Sequence, residues 1–208
     1  MNFYSPLDFL GLLYVPLLVL VTIGSLVFAV LAFRLQRQLF AIIAAGALAA
    51  ALFIAAIPAQ GGVGGVSALL SLLTVALAVV GGGPMAVLAL NLATKNTVAP
   101  GAHGGILVDS PLVGPGASNT RAVDDNGQPL THEVLRGGLT IGILERFAVA
   151  GAILAGFPEA IAVVVAIKGV GRFTELAAPE SRERFIIGTL ASLTWACACA
   201  TLAVIARG

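Results

Sequence analysis

Long apolar runs, each closed by a short polar or glycine-rich stretch, dominate the chain. The first runs roughly from Phe9 to Phe33 and ends at Arg34 and Arg37, and a second runs from Leu39 to Pro58. Each supplies the ~20 apolar residues that a helix needs to cross a hydrocarbon layer ~30 Å thick. Pro16 is compatible with the first helix, because neighbouring membrane helices re-satisfy the carbonyl that a proline frees. After the glycine-rich turn Gln60 to Gly65, a third apolar stretch extends from Val66 to Ala93. Gly81, Gly82, Gly83 and Pro84 interrupt it, and together they are expected to break or sharply kink a helix, leaving a full span followed by an interfacial segment. A packing kink is the plainer account of that break; the sharper one is an unwound segment lining a cavity, as in transporters.

From Thr94 to Gly137 the pattern turns polar. Within it, Thr120 to Val134 reads as a small hairpin turned by Asp125, Asn126 and Gly127. Asp124, Asn126, Gly127 and Glu133 also match later positions of an EF-hand loop. The first ligand position would be Ala122 and no helices flank the loop, so calcium is not expected.

Charges enter apolar sequence in the last third. Gly138 to Gly156 contains Glu145 and Arg146, Pro158 to Phe173 contains Glu159, Lys168 and Arg172, and a final span runs from Arg184 to Ile205. Two topologies fit. In one, Phe147 to Ile167 is a single kinked span, giving five helices and leaving Lys168, Arg172, Arg182 and Arg184 outside. In the other, Gly156 caps one helix, Pro158 opens the next with Glu159 in its first turn, and the region is a helical hairpin. Every basic residue except Arg207 is then cytoplasmic, as the positive-inside rule favours.

The hairpin is preferred because it pairs the buried charges. Glu145 precedes Gly156 by 11 residues and Lys168 follows Pro158 by 10, which puts them at roughly 16 Å and 15 Å from the turn. In one continuous helix they would be about 35 Å apart. The second limb is short for a span, so it is expected to be re-entrant or tilted and shielded by protein.

Composition agrees with this membrane reading. The 208 residues are 59% hydrophobic and 10% charged, with a mean hydropathy of +1.04, which only a lipid-facing surface explains. The 25 glycines and the alanine-rich runs fit close helix approach in a solvent that gives helices no hydrophobic reason to associate. A formal charge of +1 offers no basic surface for nucleic acid. Cys197 and Cys199 lie two apart in an apolar helix and diverge by about 200°, so they read as small packing residues rather than a disulfide or a redox pair. The first apolar run is too long for a signal peptide and lacks a basic lead, so the chain is expected to keep its Met1 end.

Glu145, Arg146, Lys168 and Arg172 form the constellation that asks for an explanation, since an ionisable residue inside a membrane segment costs about 2.5 to 3.5 kcal/mol on insertion scales. The plainer account is an ion-pair clamp at the cytoplasmic boundary, with Lys and Arg reaching to the headgroups. The functional accounts are a lipid-headgroup site built from Lys168, Arg172 and Arg184, or ion passage past Glu145. Enzyme chemistry is not expected. His103 and His132 lie 29 residues apart with no metal-site spacing, and Ser110, Ser118 and His132 have no GxSxG or SxxK context. No cofactor or metal is expected either.

The C-terminal half resembles a group of bacterial integral membrane proteins of unassigned function. They carry an IGxLER stretch, a break, a lysine with an RF pair, and an acidic residue leading into an IGTLxS helix. Here these read Ile141-Gly142-Ile143-Leu144-Glu145-Arg146, then Lys168 with Arg172-Phe173, then Glu183-Arg184-Phe185-Ile186-Ile187-Gly188-Thr189-Leu190-Ala191-Ser192. The likeness covers roughly residues 137 to 200, looks actinobacterial in style, and implies no particular activity.

The expected architecture is therefore an all-α polytopic transmembrane bundle of five or six helices. Its parts are N-terminal helices over 1–93, a polar cytoplasmic loop over 94–137 and a charged C-terminal region over 138–208. The expected role is a non-catalytic accessory or assembly subunit of a larger bacterial membrane complex, multi-pass in the cytoplasmic membrane with its N-terminus outside. Its partners would be lipids and other membrane subunits, met through small-residue runs such as Ala41, Ala45, Ala49 and Gly138, Gly142. The alternative is a small-solute or ion transporter using the Glu145/Lys168 pair.

Overall fold

A computed structural model describes residues 6–57, 66–94, 106–109, 131–134, 138–171 and 179–207. Its helices are α1 (Pro6–Leu35), α2 (Gln38–Ala55), α3 (Ser67–Thr94), α4 (Gly138–Leu154), α5 (Ala160–Gly171) and α6 (Pro179–Arg207), with two short strands, β1 (Ile106–Asp109) and β2 (Thr131–Val134), between α3 and α4. The chain is an all-α bundle, and stretches of α1, α2, α3 and α6 are long and apolar enough to cross a membrane. It is a multi-pass membrane protein.

The connections follow from their residues. Gln36 takes a left-handed φ of 52° and closes α1 by donating its backbone N–H to the Ala32 carbonyl. Its side chain meanwhile donates to the Phe33 carbonyl at 2.6 Å, and α2 starts two residues later. As expected, α1 runs through Pro16 without a break.

Between α4 and α5, Gly156 sits at φ +76°. Its N–H donates to the Ile153 carbonyl and that of Phe157 donates to the Ala152 carbonyl, the paired bonds of a Schellman cap that only glycine enters without strain. Pro158 then opens α5, since its missing N–H costs nothing at a helix start. The hairpin thus replaces the single kinked span. Its limbs are 17 and 12 residues long, about 26 Å and 18 Å, so α5 is too short to cross.

Helix α3 is central: it packs against α1, α2, α4 and, most extensively, α6. The core between these helices is built from small residues, among them Ala29, Ala44, Ala51, Ala78, Ala196 and Cys199. Cys197 and Cys199 are free, and Cys199 is fully buried as a packing residue. In the alanine run, Ala41 is buried against the chain's own bundle, whereas Ala49 is exposed.

Two expectations need correction. The Gly81 to Pro84 stretch does not break α3, which runs continuously from Ser67 to Thr94. Packing against α4 and α6 outweighs the roughly 1 kcal/mol that each glycine costs a helix. The strand Thr131–Val134 forms, but it pairs antiparallel with Ile106–Asp109, in the register Ile106 to Val134, rather than with the stretch before Asp125. Ile106, Leu107 and Val108 are stronger strand formers than Ala122, Asp124 and Asp125. The turn residues Asp125, Asn126 and Gly127 lie outside the described residues.

Candidate functional site

Adjacent residues on a helix diverge by about 100°, so Glu145 and Arg146 face different neighbours. Both are buried, at 8% and 5% exposure. Arg146 turns toward α3 and α6: its Nε donates to the Val79 carbonyl at 2.9 Å and its Nη1 donates to Ser192 Oγ at 3.1 Å. Val79 and Ser192 lie close to the midpoints of the apolar stretches Ser67–Ala93 and Arg182–Arg207. The guanidinium therefore lies level with the middle of these two apolar stretches and turns inward to α3 and α6. Both acceptors are uncharged, so helix carbonyl and hydroxyl dipoles hold the cation in place.

The glycines once read as a breaker make room for this arrangement. A Cβ on Gly82 would overlap Arg146 Cδ and stand 3.0 Å from Ser192 Oγ, and one on Gly142 would come within 2.9 Å of Arg146 Nη1. A Cβ on Gly81 would come within 2.5 Å of the Trp195 indole, whose Nε1–H donates to the Leu77 carbonyl at 3.0 Å. One face of α3 thus supplies two carbonyls and two glycine gaps, which Trp195 from α6 and Arg146 from α4 fill. We expect Gly81→Ala to cost about 1–3 kcal/mol through overpacking. Because Trp195 is the chain's one tryptophan, the displacement is readable by fluorescence: quenching by a lipid-dissolved quencher should rise. Unchanged quenching would mean that the indole does not rest on Gly81.

Glu145 faces α5. Lys168 donates to its Oε2 as a salt bridge, and the ammonium also lies 5.6 Å from the centre of the Phe185 ring on α6. Glu145 Oε1 is buried, and among the described residues it has no hydrogen-bond partner. Three of the four expected site residues are therefore gathered around α4. The fourth, Arg172, lies outside the described residues. Lys168 is held by Glu145, and Arg184 lies about 12 Å of helix rise from Ser192, toward the start of α6. Of the expected lipid-headgroup grouping, Lys168 thus pairs with Glu145 and lies beside Phe185, the neighbour of Arg184 in the chain, and Arg172 belongs to the residues not described.

Sequence reading missed Trp195, Phe185 and the seating role of Gly81 and Gly82. The signal that could have found the seat was an arginine in a span, which demands an acceptor, combined with a glycine run elsewhere that offers room. Ser192 stands at the end of the IGTLxS string that carried the resemblance.

Away from the charges, a groove of about 500 Å³ opens between α2, α3 and α6, lined by Ala45, Ala49, Met85, Ala89, Leu190 and Trp195 among others. Among the described residues no three His, Cys, Asp or Glu side chains gather as metal ligands. Fold and site together define a multi-pass membrane protein with a charged helical hairpin seated on two long spans. No protein-family model, curated protein or solved structure matches the chain.

Proposed function

We propose that this chain is a non-catalytic integral membrane subunit that assembles with other membrane proteins in the bacterial cytoplasmic membrane. The observation that carries this reading is α5, a 12-residue apolar helix with no buried residue. From the level of Gly142, where Arg146 folds back, the Gly156 turn is 14 residues on, about 21 Å, and α5 climbs back only about 18 Å. It is too short to cross, and Val163, Val165, Ile167 and Val170 are exposed on it, an apolar surface on which a partner helix can pack. The small-residue groove between α2, α3 and α6 supplies a second face on which a partner helix can pack. Arg34 in the last turn of α1 and Arg37 just after the helix support a cytoplasmic position for that end, with the N-terminus outside.

The test is purification of the tagged chain from native membranes into nanodiscs, with mass spectrometry of what accompanies it. A partner in fixed stoichiometry is expected, and deleting residues 95–136 is expected to weaken its retention at least tenfold. A clean monomer or homo-oligomer would overturn the assignment.

One observation favours the transporter alternative: Glu145 Oε1 is buried and has no partner among the described residues, as an oxygen waiting for a proton or a cation would be. With α3 unbroken, that oxygen is what remains of the case. Solute or proton flux in proteoliposomes, abolished by Glu145→Gln, would move the assignment to transport; a tight bilayer under every gradient would remove the alternative.

A further inference from the structure

The hairpin α4–α5 carries Glu145, Arg146, Glu159 and Lys168 in 34 residues from Gly138 to Gly171, and neither limb is among the stretches long and apolar enough to cross a membrane. Its apolar residues alone therefore do not explain its place in the bundle. What receives it is the surface already described. Val79 on α3 and Ser192 on α6 accept the two guanidinium bonds, and Gly82 leaves the gap through which the Arg146 stem passes. Glu145 and Lys168 cancel one another's charge within the hairpin and Glu159 is exposed at the turn, so Arg146 is the buried charge that must find its acceptors outside it. One acceptor lies on α6, which follows the hairpin in the chain.

We infer that the α4–α5 hairpin is a conditional membrane element: it inserts after α6 has docked on α3 and completed the seat for Arg146, and it stays out of the membrane when that seat is blocked. The same bonds that fix the inserted state make it a two-state device, with the Gly156 turn on the side of the α2–α3 connection when seated and on the side of the α1–α2 connection when not. This holds whether or not the chain serves a larger complex.

The test uses the full chain with Cys197→Ala and Cys199→Ala. A reporter cysteine is placed at the exposed turn residue Phe157, with Gln38→Cys and Ile57→Cys as references for the two sides. A membrane-impermeant maleimide is applied to intact cells and to inverted vesicles. In the otherwise unchanged chain, Phe157→Cys is expected to label from the same side as Ile57→Cys. Adding Gly82→Leu, which fills the gap, should move labelling at least tenfold toward the side of Gln38→Cys. Adding Arg146→Ala to Gly82→Leu removes both the charge and the overlap, and should return the turn to the Ile57 side.

A turn that stays on the Ile57 side with Gly82→Leu overturns the inference, as does failure of Arg146→Ala to bring it back. Should Gly82→Leu be degraded before labelling, Gly82→Ala gives the milder obstruction, since even one Cβ there overlaps Arg146 Cδ. The same two outcomes decide.

Discussion

Arg146→Lys is expected to destabilise the folded chain by about 2–4 kcal/mol, and by more than Arg146→Met does. The conservative-looking change is the worse one because of where the acceptors are. Val79 lies on α3 and Ser192 on α6, and a planar guanidinium spans them with two donors held in a fixed fork. An ammonium is a point charge on a flexible stem, and satisfying one acceptor carries it away from the other. It remains a full charge in the bundle with part of its hydration replaced by nothing. Methionine brings no charge and leaves little unsatisfied, because the Val79 carbonyl lies inside a helix and a serine hydroxyl can turn to the carbonyl one turn back along its own helix. Denaturation of nanodisc-held or detergent-held protein, followed by circular dichroism, gives the ranking. Arg146→Met proving worse than Arg146→Lys would mean that the stem's packing, rather than the guanidinium's bonds, is what the site needs.

That ranking also marks where sequence reasoning stopped. The hairpin was legible because its determinants are local. Gly156 needs a positive φ, Pro158 needs a helix start, and Glu145 and Lys168 stand at nearly equal rise on either side of the turn. The long spans were legible for the same reason, since each is a run of apolar residues that needs no partner to be recognised. The Gly81 to Pro84 stretch was misread because helix propensity speaks only of the chain's own backbone. A glycine opposite an indole or a guanidinium is a gap to be filled, and the fillers, Trp195 and Arg146, lie more than 60 residues further along the chain. Nothing local announces that Leu77 and Val79 will accept bonds from α6 and α4. The β2 strand was anticipated and its partner was not, because the turn signal at Asp125 to Gly127 drew attention away from the stronger strand former at Ile106 to Val108.

The two faces of α4 also divide the work of the site. The Arg146 face binds the hairpin to the rest of the bundle, and the Glu145 face binds the hairpin's limbs to each other. Ser192→Ala should therefore loosen α4 from α6 while the Glu145 bond to Lys168 persists, whereas changes at Lys168 should free α5 while α4 stays seated. Under the proposed subunit role this separation lets the limb that would meet a partner adjust without unseating the limb that anchors it.

Lys168→Met is expected to cost about 3 kcal/mol or more, Glu145→Leu roughly half as much, and the double change little beyond Glu145→Leu alone. The asymmetry comes from what each single change strands. Without Lys168, Glu145 keeps a buried carboxylate whose Oε1 has no partner among the described residues and whose Oε2 has just lost its donor. Without Glu145, Lys168 keeps a side chain that is 15% exposed, rests near the Phe185 ring, and has a four-carbon stem long enough to carry the ammonium toward water. Removing both leaves an apolar contact between α4 and α5, and replacing a buried ion pair by well-packed apolar groups is commonly neutral or stabilising. A double-mutant cycle in one nanodisc composition measures the coupling, expected at about 2 kcal/mol or more. Near-additive costs would mean that the two charges do not meet. Glu145→Leu costing more than Lys168→Met would place the ammonium, not the carboxylate, as the group that depends on its partner, and α5 would then be held in the membrane by Glu145 rather than by its apolar face.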